Sequence, residues 1–414
     1  MALDGQALSP KQFKLGFSSE GKIGAGKATT LTATDIAFAT TTTITHAAAT
    51  FLTKNYGVDM FITVSGATNA ANNGTFKITA VVAGTITCGD ATFTVESAGQ
   101  TITIQPAYQL INIDSIEMPS FNPTQVFDVR SSDARVAKVS DAYTSQKAVQ
   151  HEVSFSGTAD STVLPLLLEH MFVVDKEQLS SNPVVNAYDL ISSYTPEELE
   201  HNATSDIEKT LSVAIYSPEE GNDHSIIIEG ATLTSLTING DMGTENGRMK
   251  ISGTFKSGYK PSVGSTRPAE KAYGTTYYYL TTMNTKKTVA NKADSVLQSL
   301  SINMENPSEY LGYQGSDADP QAIARSIPEF GVTIDATVKY DDNTADMHDS
   351  LLQGTTVATE LSNNATFASA TTFGVQASNC KITSVAFNEA AAMMLDVSMK
   401  VLAPSSGDMI RIIA

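Results

Sequence analysis

Short runs in which apolar and polar residues alternate, each closed by Gly, Asn, Asp or Pro, fill most of this 414-residue chain. A period of two sends successive side chains to opposite faces of a sheet, so the pattern predicts β-strands throughout. One such stretch, Ile113–Arg130 (IDSIEMPSFNPTQVFDVR), recurs 184 positions later as Leu297–Gln314 (LQSLSINMENPSEYLGYQ). Ser115, Asn122 and Pro123 return as Ser299, Asn306 and Pro307, and Ile113, Ile116 and Met118 fall on Leu297, Leu300 and Ile302. Val126 and Phe127 fall on Tyr310 and Leu311. Further on, Ile226–Ile238 matches Val375–Phe387 at an offset of 149. Leu233, Ser235, Leu236, Ile238 and Asn239 meet Ile382, Ser384, Val385, Phe387 and Asn388. Phe13–Phe17 has its counterpart near Tyr277–Thr281, an offset of 264. Apolar positions matched to apolar positions around a shared Asn-Pro turn point to one structural unit used twice. The changing offsets place about 80 extra residues after the first strand of the first copy, and about 35 between its two matched blocks.

The expected architecture is therefore mainly β: two duplicated modules, each a β-sandwich or half-barrel with one short helix, plus an inserted small all-β domain. The first module is discontinuous, residues 1–26 with 107–258; the insert is 27–106, 259–271 is a linker and 272–414 the second module. The insert shows closely spaced short strands, Met60–Gly66, Thr75–Val82 and Thr85–Asp90 among them, with Asn73-Gly74 as a tight-turn signal. Asp160 or Ser161 can cap a helix carrying Leu164, Leu167, Leu168 and Met171 on one face, and Pro165 is tolerable in its first turn. The counterpart helix presents Met347, Leu351 and Leu352 and can end at Gly354. Leu211–Tyr216, Ser225–Ile228, Leu233–Ile238 and Met249–Phe255 read as successive antiparallel strands, and Met393–Leu402 as a C-terminal one. Ser131–Val149 and Gly315–Pro328 are polar and weakly patterned, and read as long hairpin excursions that either stay disordered or order against a neighbour. Within the extra stretch Asp175–Lys209, Thr195-Pro196-Glu197-Glu198 is a capping box predicting a short helix near Pro196–His201.

Composition narrows the function. Twenty-six basic against 44 acidic residues give a net charge of −18. That disfavours a surface that grips nucleic acid or an anionic membrane, but not one that lets DNA pass without holding it. The insert is nearly neutral, with Lys27, Lys54 and Lys77 against Asp35, Asp59, Asp90 and Glu96, so the negative charge lies in the modules. Cys88 and Cys380 fall in different units, which argues against a disulfide framework or zinc site. Neither a secretory leader nor an apolar stretch of membrane-spanning length is visible. Candidate chemistry is thin. Gly21, Gly26 and Lys27 have phosphate-loop spacing, but Ala28 stands where a Mg²⁺-binding hydroxyl belongs, and the segment reads as a linker. Asp317 and Asp319, or Asp341, Asp342 and Asp346, could ligate calcium, yet the Gly and terminal Glu of a helix-loop-helix site are missing. None of the six histidines stands in a metal or catalytic motif. The expectation is no enzyme, no cofactor and no metal.

Several stretches together resemble the major tail tube proteins of tailed bacteriophages: FKLGFSSEG, INIDSIEMPSFNP, the polar arm around Arg130, Asp133 and Arg135, VQHEVSFSGTADSTVLPLLLEHMF, and IIIEGATLTSLTINGDMGTENGRMKISGTFKSG. The inserted unit looks like small β-domains spliced into phage virion proteins. The resemblance covers most of the chain, is one of pattern and order, and departs from single-module tubes in being duplicated. It implies a structural virion protein, assembled in the bacterial cytoplasm, whose rings stack into a tube lined by a continuous β-barrel. A two-module chain would close such a ring from three subunits with pseudo-sixfold symmetry. Implied partners are the chain itself, a tape measure protein, tail terminator and initiator proteins, and double-stranded DNA passing an acidic lumen without specific binding, with no membrane involved. An external insert favours a long non-contractile tail. Candidate self-assembly residues are Phe127, Arg130, Arg135, Tyr310, Tyr313 and Arg325. The rival readings are a virion adhesin that binds host surfaces, and a glycan hydrolase, which would need a carboxylate pair in a groove.

Overall fold

The computed structural model describes residues 10–20, 27–119, 124–127, 142–145, 150–171, 176–178, 186–191, 210–218, 224–265, 267–283, 286–311, 320, 322–325, 330–365, 367, 372–389, 393–403 and 408–414. The chain is mainly β, and the described residues hold two α-helices, α1 (Val163–Met171) and α2 (Met347–Leu352). Asp160 caps α1, accepting the Thr162 and Val163 amides on Oδ1 at 2.9 and 3.1 Å.

Eight antiparallel strands form one continuous inner sheet. In spatial order they are Ile113–Glu117, His151–Thr158, Lys250–Ser257, Ser225–Asp241, Leu297–Glu305, Gly331–Lys339, Met393–Val401 and Gly374–Glu389. The first four come from the N-terminal half and the last four from the C-terminal half. The registers of the halves run in step. Crossing from Ile116, the paired positions are Phe155, Gly253 and Leu236; crossing from Leu300, they are Ala336, Val397 and Val385. Bulges recur in step too, between Leu233 and Ser235 and between Ile382 and Ser384.

Each half lays a second, outer sheet over this one. In the N-terminal half Ile102–Ile111, Lys14–Ser19, Leu211–Tyr216 and the start of Ser225–Asp241 pair in that order; in the C-terminal half Lys286–Thr288, Thr356–Ser362 and the start of Gly374–Glu389 do so. Where two strands were expected between residues 225 and 238, a single 17-residue strand leaves the outer sheet and enters the inner one. Gly230 makes the bend with φ of +60°, a conformation costly for side-chain-bearing residues, and the Tyr259 ring fills the space a Cβ would need. The Gly230 amide donates to the buried carboxylate of Glu20 at 2.9 Å.

The apolar side of the inner sheet, the outer sheets and both helices enclose one cluster of buried residues that runs unbroken through both halves, from Leu15 to Ile412. A separate cluster, from Ala28 to Ile104, fills the region of the expected insert. The two regions share the strand Ile102–Ile111, whose first part pairs with Phe61–Ser65 and last part with Lys14–Ser19.

Three expectations change. The stretch that composition marks as a linker is pinned: Ser262–Ser265 pairs with the start of Ser225–Asp241, and Ala269–Lys271 lies parallel to residues 107–109. Residues 277–281, matched to Phe13–Phe17 in the sequence, form no strand; the pairing strand in that region is Lys286–Thr288, where Lys287 faces Leu361. Those earlier residues make bridges to Asp160 and Arg248 and a 3-10 turn instead. Finally, Asn186–Ile191, within the extra segment of the N-terminal half, pairs with the terminal strand Asp408–Ile413, so the halves are cross-strapped. The Pro196–His201 helix and residues 21–26 lie outside the described residues.

Candidate functional site

The inner sheet has two unlike faces because a two-residue period is held in register across eight strands. One face carries Val153, Phe155, Phe255, Leu236, Ile238, Ile302, Ile334 and Val397, all buried. The other carries short polar side chains. From one edge to the other its rows include Ser115, Ser156, Ser252, Thr237, Asn303 and Thr333, and beyond them Asp335, Asp396 and Asn388.

Hydrogen bonds knit this polar face across the strands. Ser115 and Ser156 hydroxyls meet at 2.7 Å, and those of Ser154 and Thr254 at 3.0 Å. Thr237 donates to Asn303 Oδ1 at 3.1 Å across the junction between the halves, and Asn303 Nδ2 donates to Asp335 Oδ2 at 2.9 Å. Both oxygens of Asp396 are engaged, by Thr337 at 2.7 Å and Asn388 at 3.0 Å. Residues on six neighbouring strands, from Lys250 to Asn388, line a trough of about 570 Å³ walled on one side by Thr244, Glu245 and Arg248, so this part of the polar face is concave. Along these rows stand the carboxylates Glu117, Glu152, Asp241, Glu305, Asp335 and Asp396 and the amines Lys250, Lys256, Lys339, Lys381 and Lys400. The face is mildly acidic and mostly neutral, hydroxyl- and amide-rich. The charge is differently placed in the two halves: Asp335 and Asp396 occupy the register positions of Ser154 and Ser252, while Glu117, opposite Ser154, occupies that of Ser301.

Among the described residues the two ends of the sheet have one ladder partner each: Ile113–Glu117 pairs only with His151–Thr158, with the turn Pro10–Gln12 close against it, and residues 384–389 pair only with Met393–Val401. Two hairpins form, Thr124–Phe127 with Ala142–Ser145 and Ser308–Leu311 with Ala322–Arg325, the second strand of each lying in a stretch read as an excursion.

Among the candidate assembly residues, Tyr310 is 2 % exposed and already committed within the chain. Its hydroxyl lies 2.7 Å from the Lys256 carbonyl and 2.9 Å from that of Gly230, and its ring packs edge-on to Tyr259. It ties the C-terminal half's hairpin to the N-terminal half's bend rather than offering a surface. Phe127 and Arg325 close their hairpin pairings through their backbones, opposite Ala142 and Ser308. Arg130, Arg135 and Tyr313 lie outside the described residues. The residues that sequence reasoning passed over are the edge residues and the carboxylates of the concave face. Strand parity could have found the latter once the register was known.

The described residues contain no group of three or more His, Cys, Asp or Glu placed to hold a metal. Asp341 Oδ1 instead caps the backbone amides of Asn343 and Thr344, and Asp346 is paired to Lys292. Asp317 and Asp319 lie outside the described residues. Burial pushes the Cys88 and Cys380 thiols up to about 12, as suits residues packed in two separate cores. No helix of the described residues is long and apolar enough to cross a membrane. Comparison with family models and with curated proteins gave no match.

Proposed function

We propose that the chain is a structural virion protein, a duplicated major tail tube protein whose copies close into trimeric, pseudo-hexameric rings that stack into the tail conduit of a bacteriophage. The observation that carries this reading is the eight-stranded sheet itself. Its halves repeat one register, one face is sealed by the core, the other is concave and polar, and both ends are open. Such a sheet is an arc of barrel wall, and equal arcs joined head to tail close into a ring. In this reading the concave face is the lumen. A layer of hydroxyls and amides with a slight excess of carboxylate gives DNA phosphates nothing to hold, so a passing duplex meets neither a cation trap nor an apolar patch. Glu117 from one half and Asp335 and Asp396 from the other would spread carboxylate around this lumen. In this reading the hairpins would reach toward the next ring, with the tape measure protein inside the lumen before ejection and terminator and initiator proteins at the tube ends. The region between residues 27 and 106 has its own core and would sit outside the wall. Negative-stain electron microscopy of the purified chain tests the reading: rings or tubes with an open axis support it, and a protein that stays monomeric at all concentrations contradicts it.

A further inference from the structure

The chain contains one worked example of how two of its halves join. At that internal junction Ser235–Asp241 of the N-terminal half pairs antiparallel with residues 299–305 of the C-terminal half, Ile238 facing Ile302 and Asn239 facing Ser301. Both isoleucines are fully buried. The two open edges carry the matching positions of the other kind. Registers that run in step set Ile238 on Phe387 and Ile302 on Met118. At the open edges these positions are not sealed: Phe387 is 50 % exposed and Met118 half-buried.

Building on the ring reading above, we propose that residues 116–118 of one copy pair antiparallel with residues 387–389 of a second copy in the register of the internal junction, Phe387 opposite Met118 and Asn388 opposite Glu117. The occupant of each edge is therefore another copy of this chain. The register places Phe387 and Met118 on the apolar side, where Ile238 and Ile302 meet inside the chain, and Asn388 and Glu117 on the concave side. Phe387 is presented for this role: it stacks on His348 at 5.3 Å and edge-on to Tyr340 at 5.5 Å, which hold the ring at the rim of the sheet. Residues 384–389 contain no Pro and no Lys, the usual guards of a solvent-facing edge, so the edge is left open to pairing. Because the two edges differ, the contact is head to tail and repeats until the ring closes.

Directed cross-linking in the full-length chain tests the register. Residues directly opposite in an antiparallel pair have Cα atoms about 4.5–5.5 Å apart, within disulfide range, whereas positions two residues off are about 7–8 Å away. Met118→Cys with Phe387→Cys should give covalent dimers and closed trimers on mild oxidation, read on a non-reducing gel. Either single variant should stay monomeric on the gel, since Cys88 and Cys380 are buried. Ile116→Cys with Phe387→Cys should cross-link roughly tenfold less, because that pair is off-register. Rings in the microscope with the offset pair cross-linking better would overturn the register while leaving the ring reading in place. Rings with neither pair cross-linking would overturn the choice of edges, and an absence of rings would overturn the ring reading itself. As a second variant, Phe387→Lys changes a half-exposed residue and should leave the monomer's circular dichroism unchanged while abolishing rings; rings that persist would count against this seam.

Discussion

Removing residues 27–106 and closing the gap with a short Gly/Ser linker should leave a folded body that still assembles. The structural reason is the pairing of the flanking strands. Leu15, Gly16 and Phe17 stand opposite Ile111, Leu110 and Gln109, so the chain leaves and re-enters the body on antiparallel neighbours, and the whole region is an elaborated hairpin loop. What the body loses is small. Lys77–Glu169 and Lys27–Glu229 are ion pairs at 3.7 Å between partly exposed side chains, each contributing about 0–1 kcal/mol. The Lys271 ammonium stands 3.6 Å above the Phe61 ring, a contact worth about 1–2 kcal/mol where partly desolvated. Burial holds the Lys271 amine below the usual lysine range, and exposing it on deletion returns part of that cost. The net expectation is a loss of about 1–3 kcal/mol for the body. Scanning calorimetry should show the body's transition shifted down by a few degrees with the contribution of residues 27–106 gone, and electron microscopy should show rings as before. An insoluble or unfolded product, or a loss above about 5 kcal/mol, would refute the reasoning by showing that the two cores depend on each other.

Four further outcomes are expected. Gly230→Ala should cost about 2 kcal/mol or more, from the left-handed backbone plus the displacement of Tyr259, read by denaturant unfolding; an unchanged midpoint would show the bend adapts freely. Tyr310→Phe should lower the body's stability by about 1–2 kcal/mol and leave ring formation alone, since the hydroxyl serves a contact inside the chain; loss of rings with unchanged stability would reverse that assignment. Burial raises the Asp160 pKa against the pull of three amide bonds, from Thr162, Val163 and Gly274, so the folded chain holds that proton more tightly than the unfolded one. Its contribution is then full below about pH 4 and lost as pH rises through the folded value, and wild type should lose stability relative to Asp160→Asn between about pH 4 and 7; a gain would invert the sign. Replacing Asp335 and Asp396 together by Lys should leave assembly intact but make rings retain linear duplex DNA at low salt, measured by co-sedimentation; no change would mean the concave face does not meet DNA.

How much of this was readable in the sequence depends on the kind of signal. Alternation identified the strand Met393–Val401 almost to the residue, because one of its faces is on the core and the other faces away, whereas Leu211–Tyr216, buried at every position, was legible as a short apolar run. It broke Ser225–Asp241 in two, since a glycine between apolar runs reads as a turn when it is in fact a bend within one strand. It missed Lys286–Thr288, a polar edge strand whose three residues are all half-buried and so leave no alternating trace. Tyr310 was legible as a contact residue but not as an internal one, because its partners, Gly230 and Lys256, are distant in sequence. The concave carboxylates were hidden for a related reason. Each strand's parity is evident alone, but which parity shares a face with which follows only from register, and register is a property of pairs.

In the proposed ring three copies of the eight-stranded arc close one barrel. A cryo-electron microscopy reconstruction of the rings, computed without imposed symmetry, tests it most directly. The account predicts three chains per ring, a continuous wall of paired strands around an open axis, near-sixfold at the lumen and threefold outside, with Asp335 and Asp396 facing the axis. A ring with a different number of chains, or one whose wall is built from the outer sheets with the polar face turned outward, would contradict it.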